Sequence, residues 1–177
     1  MNKIIKQKIR TIPNWPKQGV MYRDVTTLFK DRIGFKMVID TLFDRYRESS
    51  IDSVVGIESR GFIVGSAIAE RLGVGFVPIR KSGKLPAETI GEEYELEYGR
   101  DKIEIHKDAI SEKDTVLLVD DLIATGGTAL AACSLLERLK AQISECVFIV
   151  DLPTLGGSKK LSDKGFGVFS LVSFDGE

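Results

Sequence analysis

An α/β fold, with a mostly parallel twisted sheet covered by helices on both faces, is the architecture this sequence predicts. Three observations point to it. Short, nearly unbroken apolar runs at Ser53–Ile57, 76–79, 116–119 and 146–150 read as strands buried on both sides. Amphipathic stretches of helical length stand at 62–72 and 129–141. Strand and helix alternate, which implies parallel neighbours joined by right-handed crossovers.

Each element has a local reason. Ile4, Ile5, Ile9 and Ile12 recur among lysines, as in a short helix packing on its own domain. The segment from Gly19 to Asp24 reads as a short apolar strand. A helix is expected over 35–46, with Val38, Leu42 and Tyr46 on one face. Gly73 closes the helix over 62–72. Pro78 lacks an N–H, so the strand around it is expected to bend or to lie near an edge. Between Leu96 and His106 the period changes to two, and Gly99-Arg-Asp101 separates two alternating runs, the signal of an antiparallel hairpin. With residues 81–86 it forms a long excursion, expected to act as a lid. The strand at 116–119, the helix at 129–141 and the strand at 146–150 make a βαβ unit. Gly156-Gly-Ser-Lys-Lys160 reads as a turn into a short helix. Residues 1–30 and the segment after Asp151 are expected to form a small cap on one domain spanning 1–177.

A chain of 177 residues with 43% hydrophobic and 29% charged content suits a single globular domain. The formal charge of −1 argues against a nucleic-acid binder, which would show a basic excess, although a local cluster can still hold a small anion. Cys133 and Cys146 lack C-x-x-C spacing and no secretory segment precedes them, so buried thiols in a cytoplasmic protein are expected. No apolar run reaches membrane-spanning length. His106 has no metal-ligating neighbour in sequence and is given no role. Trp15, between Asn14 and Pro16, reads as a packing residue.

The segment 116–128 carries the most chemistry. Four apolar residues lead into Asp120 and Asp121, then into Ala124-Thr-Gly-Gly-Thr128, and a helical pattern begins. A strand, a tight small-residue turn and a helix N-terminus make an anion site, because the first N–H groups of the helix have no intrahelical acceptor. Gly126 and Gly127 allow close backbone approach, while Thr125 and Thr128 add hydroxyls. No lysine precedes the threonine, so this is not a triphosphate loop, and no G-x-G-x-x-G is present. Two carboxylates at a strand tip instead suit a vicinal diol, or water on a divalent cation. A ribose 5-phosphate meets both demands. Arg60, in Glu58-Ser-Arg-Gly61, opens another helix where a guanidinium beside N–H groups suits a diphosphate. Arg80, Lys81 and Lys84 form a cationic cluster at a strand end. Alternation puts Glu95 and Glu97 on one face of the hairpin, and the pattern alone does not choose between them.

The segment from Val119 to Thr128 resembles the phosphoribosyl pyrophosphate (PRPP) motif of the type I phosphoribosyltransferases. Four further segments resemble that family's adenine-acting branch, in the same order: Pro16–Asp24 as Pro-Lys-Gln-Gly-Val-Met-Tyr-Arg-Asp, Gly56–Phe62 as Gly-Ile-Glu-Ser-Arg-Gly-Phe, Arg80–Pro86 as Arg-Lys-Ser-Gly-Lys-Leu-Pro, and Tyr94–Gly99 as Tyr-Glu-Leu-Glu-Tyr-Gly. The likeness runs from about Arg10 to Phe174. It implies adenine and PRPP as substrates, AMP and pyrophosphate as products, Mg2+ as cofactor, and a homodimer. It places ribose 5-phosphate on Asp120, Asp121, Ala124, Thr125, Gly126, Gly127 and Thr128. Pyrophosphate falls on Glu58, Ser59, Arg60, Arg80, Lys81 and Lys84, with a cis bond before Ser59. Adenine falls on Met21, Tyr22, Arg23 and Leu122, with the backbone near Met21 and Arg23 reading the edge of the base. Glu97 is selected as the proton-handling residue, and Mg2+ reaches Asp120 and Asp121 through water, with no direct ligand. The chain departs from the family's habits at Met21, Tyr22 and Thr27, where a smaller aliphatic residue, Phe and Pro are common. Two other readings carry different signatures. A 6-oxopurine enzyme would more usually carry Glu-Asp than Asp-Asp, and a PRPP-sensing regulator would need a nucleic-acid-binding module or a basic face.

Overall fold

Apolar runs and helical stripes fold in the order in which they occur, and the computed structural model describes residues 2–95 and 99–175 of the chain. The N-terminal third supplies α1 (Asn2–Gln7), β1 (Arg10–Pro13), β2 (Met21–Asp24), α2 (Thr26–Lys30) and α3 (Arg32–Tyr46). Next come β3 (Ser53–Ile57), α4 (Gly61–Leu72), β4 (Gly75–Lys81), β5 (Thr89–Glu95) and β6 (Arg100–His106). The remainder contains β7 (Thr115–Ile123), α5 (Gly127–Arg138), β8 (Gln142–Asp151), a 3-10 turn (Pro153–Leu155), α6 (Gly157–Asp163) and β9 (Val168–Ser173).

Seven strands form the main sheet in the order β5-β6-β4-β3-β7-β8-β9. The five from β4 to β9 run parallel, and the β5–β6 hairpin adds an antiparallel edge. Strand alternation splits the core in two. Val54, Leu117, Val119, Val147 and Ile149 face one cluster with α3 and α4, while Val55, Leu118, Cys146 and Phe148 face the other with α5. The expected α/β architecture, with helices on both faces, is therefore present.

Local signals account for the boundaries. The Asp31 carboxylate accepts from the Gly34 N–H, which starts α3 at Arg32, three residues before the expected start at Phe35, and Val38, Leu42 and Tyr46 are buried as expected. Gly73 closes α4 in the left-handed conformation at φ 73°. Pro78 pairs with β3 alone, because β6 joins β4 only from Arg80 onward. The sheet is locally at its edge where the missing N–H would matter. Ile5 is fully buried and Ile9 nearly so, which docks the N-terminal segment on the domain. Cys133 and Cys146 are free and buried, with their sulfurs 3.6 Å apart.

Three expectations need correction. β7 does not stop at Val119 but continues through both acids to Ile123, because β8 runs on to Asp151 and gives Leu122 and Ile123 partners. The hairpin is not a separate excursion: its β5 strand begins at Thr89, and β6 hydrogen-bonds to β4 as part of the main sheet. The segment after Asp151 is not only cap, since β9 pairs in parallel with β8 and forms the opposite edge of the sheet. Its pairing is set by a strand more than twenty residues earlier, out of reach of a local pattern.

At the N-terminal end, β1 and β2 make a separate two-stranded ribbon. Asp24 fastens it, taking Arg10 through two guanidinium nitrogens and Thr26 through N–H and hydroxyl. Burial alone would raise this carboxyl, but the Thr26 and Arg10 bonds outweigh it and hold it at about 2. Thr27 donates to the Lys8 carbonyl and accepts from the Arg10 N–H, so its hydroxyl is used in tying the ribbon down.

Candidate active site

The sheet reverses its winding between β3 and β7, which are adjacent although β4 follows β3 in the chain. Ligands of open α/β sheets sit at such a crevice, beyond the carboxyl ends of the strands. The β3–β7 ladder ends at the Gly56–Val119 pair, so Glu58 and Asp120 emerge side by side just past it. Gly61 lets α4 start against β7: a Cβ there would lie 2.7 Å from the Val119 carbonyl oxygen and 3.0 Å from Asp120 Oδ1.

A cleft of about 460 Å3 occupies this crevice and is lined by Tyr22, Glu58, Ser59, Arg60, Lys81, Tyr94, Asp120, Asp121, Leu122 and Thr128. A neighbouring hollow of about 110 Å3 is lined by Asp120 and by the loop Ala124-Thr-Gly-Gly-Thr128. Five segments singled out in the sequence thus converge on one place. A larger groove of about 880 Å3 lies against α1, α6 and β9 and contains none of these residues.

Asp121 is only 4% exposed. Burial, and for Asp120 its neighbour Asp121, push both carboxyls upward, well upward for Asp120. Arg60 opposes this at Asp121, with Nε 2.9 Å from Oδ2. The approach is poorly aligned, and Asp121 Oδ2 is buried without a hydrogen-bond partner among the described residues. A buried carboxylate oxygen in that condition fits a hydroxyl or a cation-bound water. Burial would lower the Arg60 guanidinium, but Asp121 and the Tyr22 hydroxyl outweigh it and raise it. No group of three or more His, Cys, Asp or Glu side chains able to cage a metal occurs among the described residues. Mg2+ needs no such cage when a substrate's phosphates and water supply most of its ligands.

The loop Ala124-Thr-Gly-Gly-Thr128 is braced from behind. Gly126 adopts φ 83°, and α5 starts at Gly127 without a side-chain cap. The Gly157 N–H donates to the Ala124 carbonyl and the Lys160 ammonium to the Thr125 carbonyl, so loop carbonyls turn outward. Gly157 is needed for the fit, since a Cβ there would lie 2.4 Å from the Ala124 oxygen. Gly156-Gly-Ser-Lys-Lys160 is a turn into a short helix, as expected, and its place behind the loop was invisible in local sequence.

The remaining residues divide by role. Lys81, Arg80 and Lys84 gather on Glu58: the Lys81 N–H and Arg80 Nε reach Oε2, at 2.9 and 3.4 Å, and Lys84 bonds Oε1. Burial would raise that carboxyl, but Lys84, the Lys81 N–H and Arg80 hold it low. The Glu58 side chain therefore organises the cations, and Arg80 and Lys84 are not among the residues lining the cleft. The bond between Glu58 and Ser59 is cis, as the resemblance implied, and Trp15–Pro16 is cis as well. Tyr22 and Leu122 line the cleft, but Met21 and Arg23 do not. Arg23 turns to the Thr11 hydroxyl and the Phe174 ring. Glu97 lies outside the described residues. Tyr94, which sequence reasoning left unassigned, bonds Asp101, itself paired with Lys81 at 2.8 Å.

Gly127 sits under the hairpin, and a Cβ there would lie 3.2 Å from the Glu95 carbonyl oxygen. In Gly127→Val the branched side chain meets backbone on that side and obstructs the loop on the other. Overpacking of about 1–3 kcal/mol predicts AMP binding weaker by roughly 10–100-fold. Isothermal titration with AMP checks this, and unchanged affinity would remove the loop from the site.

Comparison with known proteins agrees with this geometry. Residues 24–172 match the family model described as phosphoribosyl transferase domain. An adenine phosphoribosyltransferase of Chlorobium phaeovibrioides is 59% identical over 175 residues, covering 98% of this chain and 99% of the relative. The crystal structure of adenine phosphoribosyltransferase from Thermoanaerobacter pseudethanolicus superposes with a TM-score of 0.92 at 46% identity, covering 98% of this chain and all of that one. The Saccharomyces cerevisiae enzyme, crystallised with adenine and an imino-altritol bisphosphate, gives 0.90 at 42% identity over 97% of this chain and 98% of its own.

Proposed function

Because the chain belongs to the phosphoribosyl transferase family over most of its length, we propose that it is an adenine phosphoribosyltransferase, forming AMP and pyrophosphate from adenine and PRPP in purine salvage. The observation that carries the reading is the convergence of Tyr22, Arg60, Lys81, Asp120, Asp121 and Thr128 on one cleft beside the braced phosphate loop. Full-length relatives bearing that activity support it.

The reaction joins nitrogen 9 of adenine to carbon 1 of the ribose as the carbon–oxygen bond to pyrophosphate breaks. The electron pair of that bond leaves with pyrophosphate. The protein's contribution is mainly positional. The loop at Ala124–Thr128 holds the 5-phosphate, and Asp120 and Asp121 accept from the ribose hydroxyls. Tyr22 and Leu122 flank the base. Fixing both reactants in this geometry is worth up to roughly 7–11 kcal/mol. Arg60 and Lys81 meet the growing charge on the departing pyrophosphate. Mg2+, held by PRPP oxygens and through water by Asp120 and Asp121, would supply further neutralisation of that charge.

Glu97 is assigned to the proton on the purine imidazole ring. Glu97→Gln is expected to lower kcat by about 10²-fold, the lower end of general acid–base contributions, with little change in PRPP binding. Wild-type turnover across the pH range in that variant would overturn the assignment. Residues 1–30 with the segment after Asp151, apart from β9, are read as the base-binding cap of a single domain. The chain is also read as a cytoplasmic homodimer, which sedimentation velocity tests. No described helix is long and apolar enough to cross a membrane. The deciding experiment for the activity is incubation with PRPP, Mg2+ and adenine, scored for AMP and pyrophosphate. Absence of product overturns the reading.

A further inference from the structure

Arg60 holds three parts of the molecule together. It comes from the loop between β3 and α4, its Nη1 donates to the Tyr22 hydroxyl at 2.5 Å, and its Nε lies 2.9 Å from Asp121 Oδ2. Tyr22 belongs to the β1–β2 ribbon, and Asp121 to β7. On the ribbon side, Tyr22 meets the edge of Trp15, with ring centroids 4.4 Å apart. One guanidinium therefore spans the wall of the base site and the acid pair.

The position of Arg60 conflicts with the duties of the ligated site. A hydroxyl donating to Asp121 Oδ2 needs the space that Arg60 Nε occupies. That oxygen is close to the guanidinium but not hydrogen-bonded by it, so the contact is mainly charge attraction. The aligned bond on Arg60 is the one it donates to the Tyr22 hydroxyl, and it fixes where the guanidinium sits.

We propose that Tyr22 is a positioning residue: its hydroxyl holds Arg60 across Asp121, so that entry of PRPP has to break the Tyr22–Arg60 bond. This rests on the PRPP reading of the cleft. Ribose binding displaces Arg60 toward the diphosphate and frees the Tyr22 ring, which moves against Trp15. The base wall thereby registers the arrival of a ligand that does not touch it.

Tyr22→Phe keeps the ring and removes only the hydroxyl. Trp15 is the single tryptophan, so its emission reports on this corner directly. Titrating the wild-type protein with PRPP and Mg2+, without adenine, is expected to change Trp15 emission. In Tyr22→Phe the binding midpoint and the KM for PRPP should both fall on the order of 3–10-fold, the net effect of one hydrogen bond. In an Arg60→Met background the same substitution should have no further effect on the midpoint, because the bond it deletes is already gone. A shift that persists without Arg60 overturns the proposal. So does an unchanged PRPP dependence in Tyr22→Phe when wild-type protein forms AMP. Failure of wild-type protein to form AMP overturns the functional reading itself, and the two failures are thus separate.

Discussion

Replacing both acids, as Asp120→Asn with Asp121→Asn, is expected to reduce kcat/KM for PRPP on the order of 10³-fold or more without loss of fold. Two hydrogen bonds to charged acceptors contribute about 1.5–3 kcal/mol each, and 1.4 kcal/mol is a factor of ten. Stability should move the other way. Both carboxyls titrate above their ordinary range because burial disfavours their charged forms, and Asp120 is raised further by the charge of Asp121. A carboxyl raised on folding destabilises the native state at every pH above its unfolded value, so neutral amides remove a penalty at pH 7. The thermal midpoint at pH 7 should be unchanged or higher, and the gain should fade as pH drops toward 4. Near-normal PRPP kinetics in a folded double variant would show that the ribose lies elsewhere.

The second large effect concerns the choice of base. Adenine presents an amino donor at position 6, whereas hypoxanthine and guanine present an oxo acceptor. Met21 stands opposite Pro13 in the β1–β2 ribbon, and proline has no N–H to give. On the proposed reading the Met21 carbonyl accepts from the amino group, and Pro13 opposite it has no N–H to compete for that oxygen. A 6-oxo base would set acceptor against acceptor in a buried site, a mismatch that discriminates by up to about 10⁴–10⁵-fold. Measured kcat/KM values with adenine, hypoxanthine and guanine should differ accordingly. Readout by main chain also predicts that Met21→Val retains the preference and alters only affinity. Comparable turnover of a 6-oxo base would overturn this and favour a 6-oxopurine enzyme.

Much of the site was legible because its determinants are local. Asp120, Asp121 and the Thr-Gly-Gly-Thr turn lie within nine residues of each other, and strand, turn and helix can be read from that stretch alone. The sheet was legible for a similar reason, since its central strands are buried on both faces and carry unbroken apolar runs. What escaped depends on partners distant in sequence. The length of β7 is set by β8, and the place of β9 by pairing with the same strand. Glu58 sits in a loop that pattern and resemblance give to pyrophosphate, yet its carboxylate faces Lys84 and Arg80, contacts more than twenty residues away. Lys160 and Gly157 support the phosphate loop across about thirty residues, and neither carries a motif for that task.

The docking of α1 has a consequence for synthesis on the ribosome. The buried face of α1, through Ile5, belongs to the same core cluster as Leu171, Val172 and Phe174, and Lys6 and Arg23 both lie over the Phe174 ring. A nascent chain therefore carries this N-terminal helix through translation of the sheet with only the α3 side of its docking surface made. Contacts of such sequence separation form late, after local helices and hairpins have closed. The β1–β2 ribbon, though translated early, gains its Arg23–Phe174 contact only when β9 has joined the sheet. Ribosome-stalled chains ending before β9 should retain a protease-sensitive N-terminus while the phosphate-loop βαβ unit is already protected.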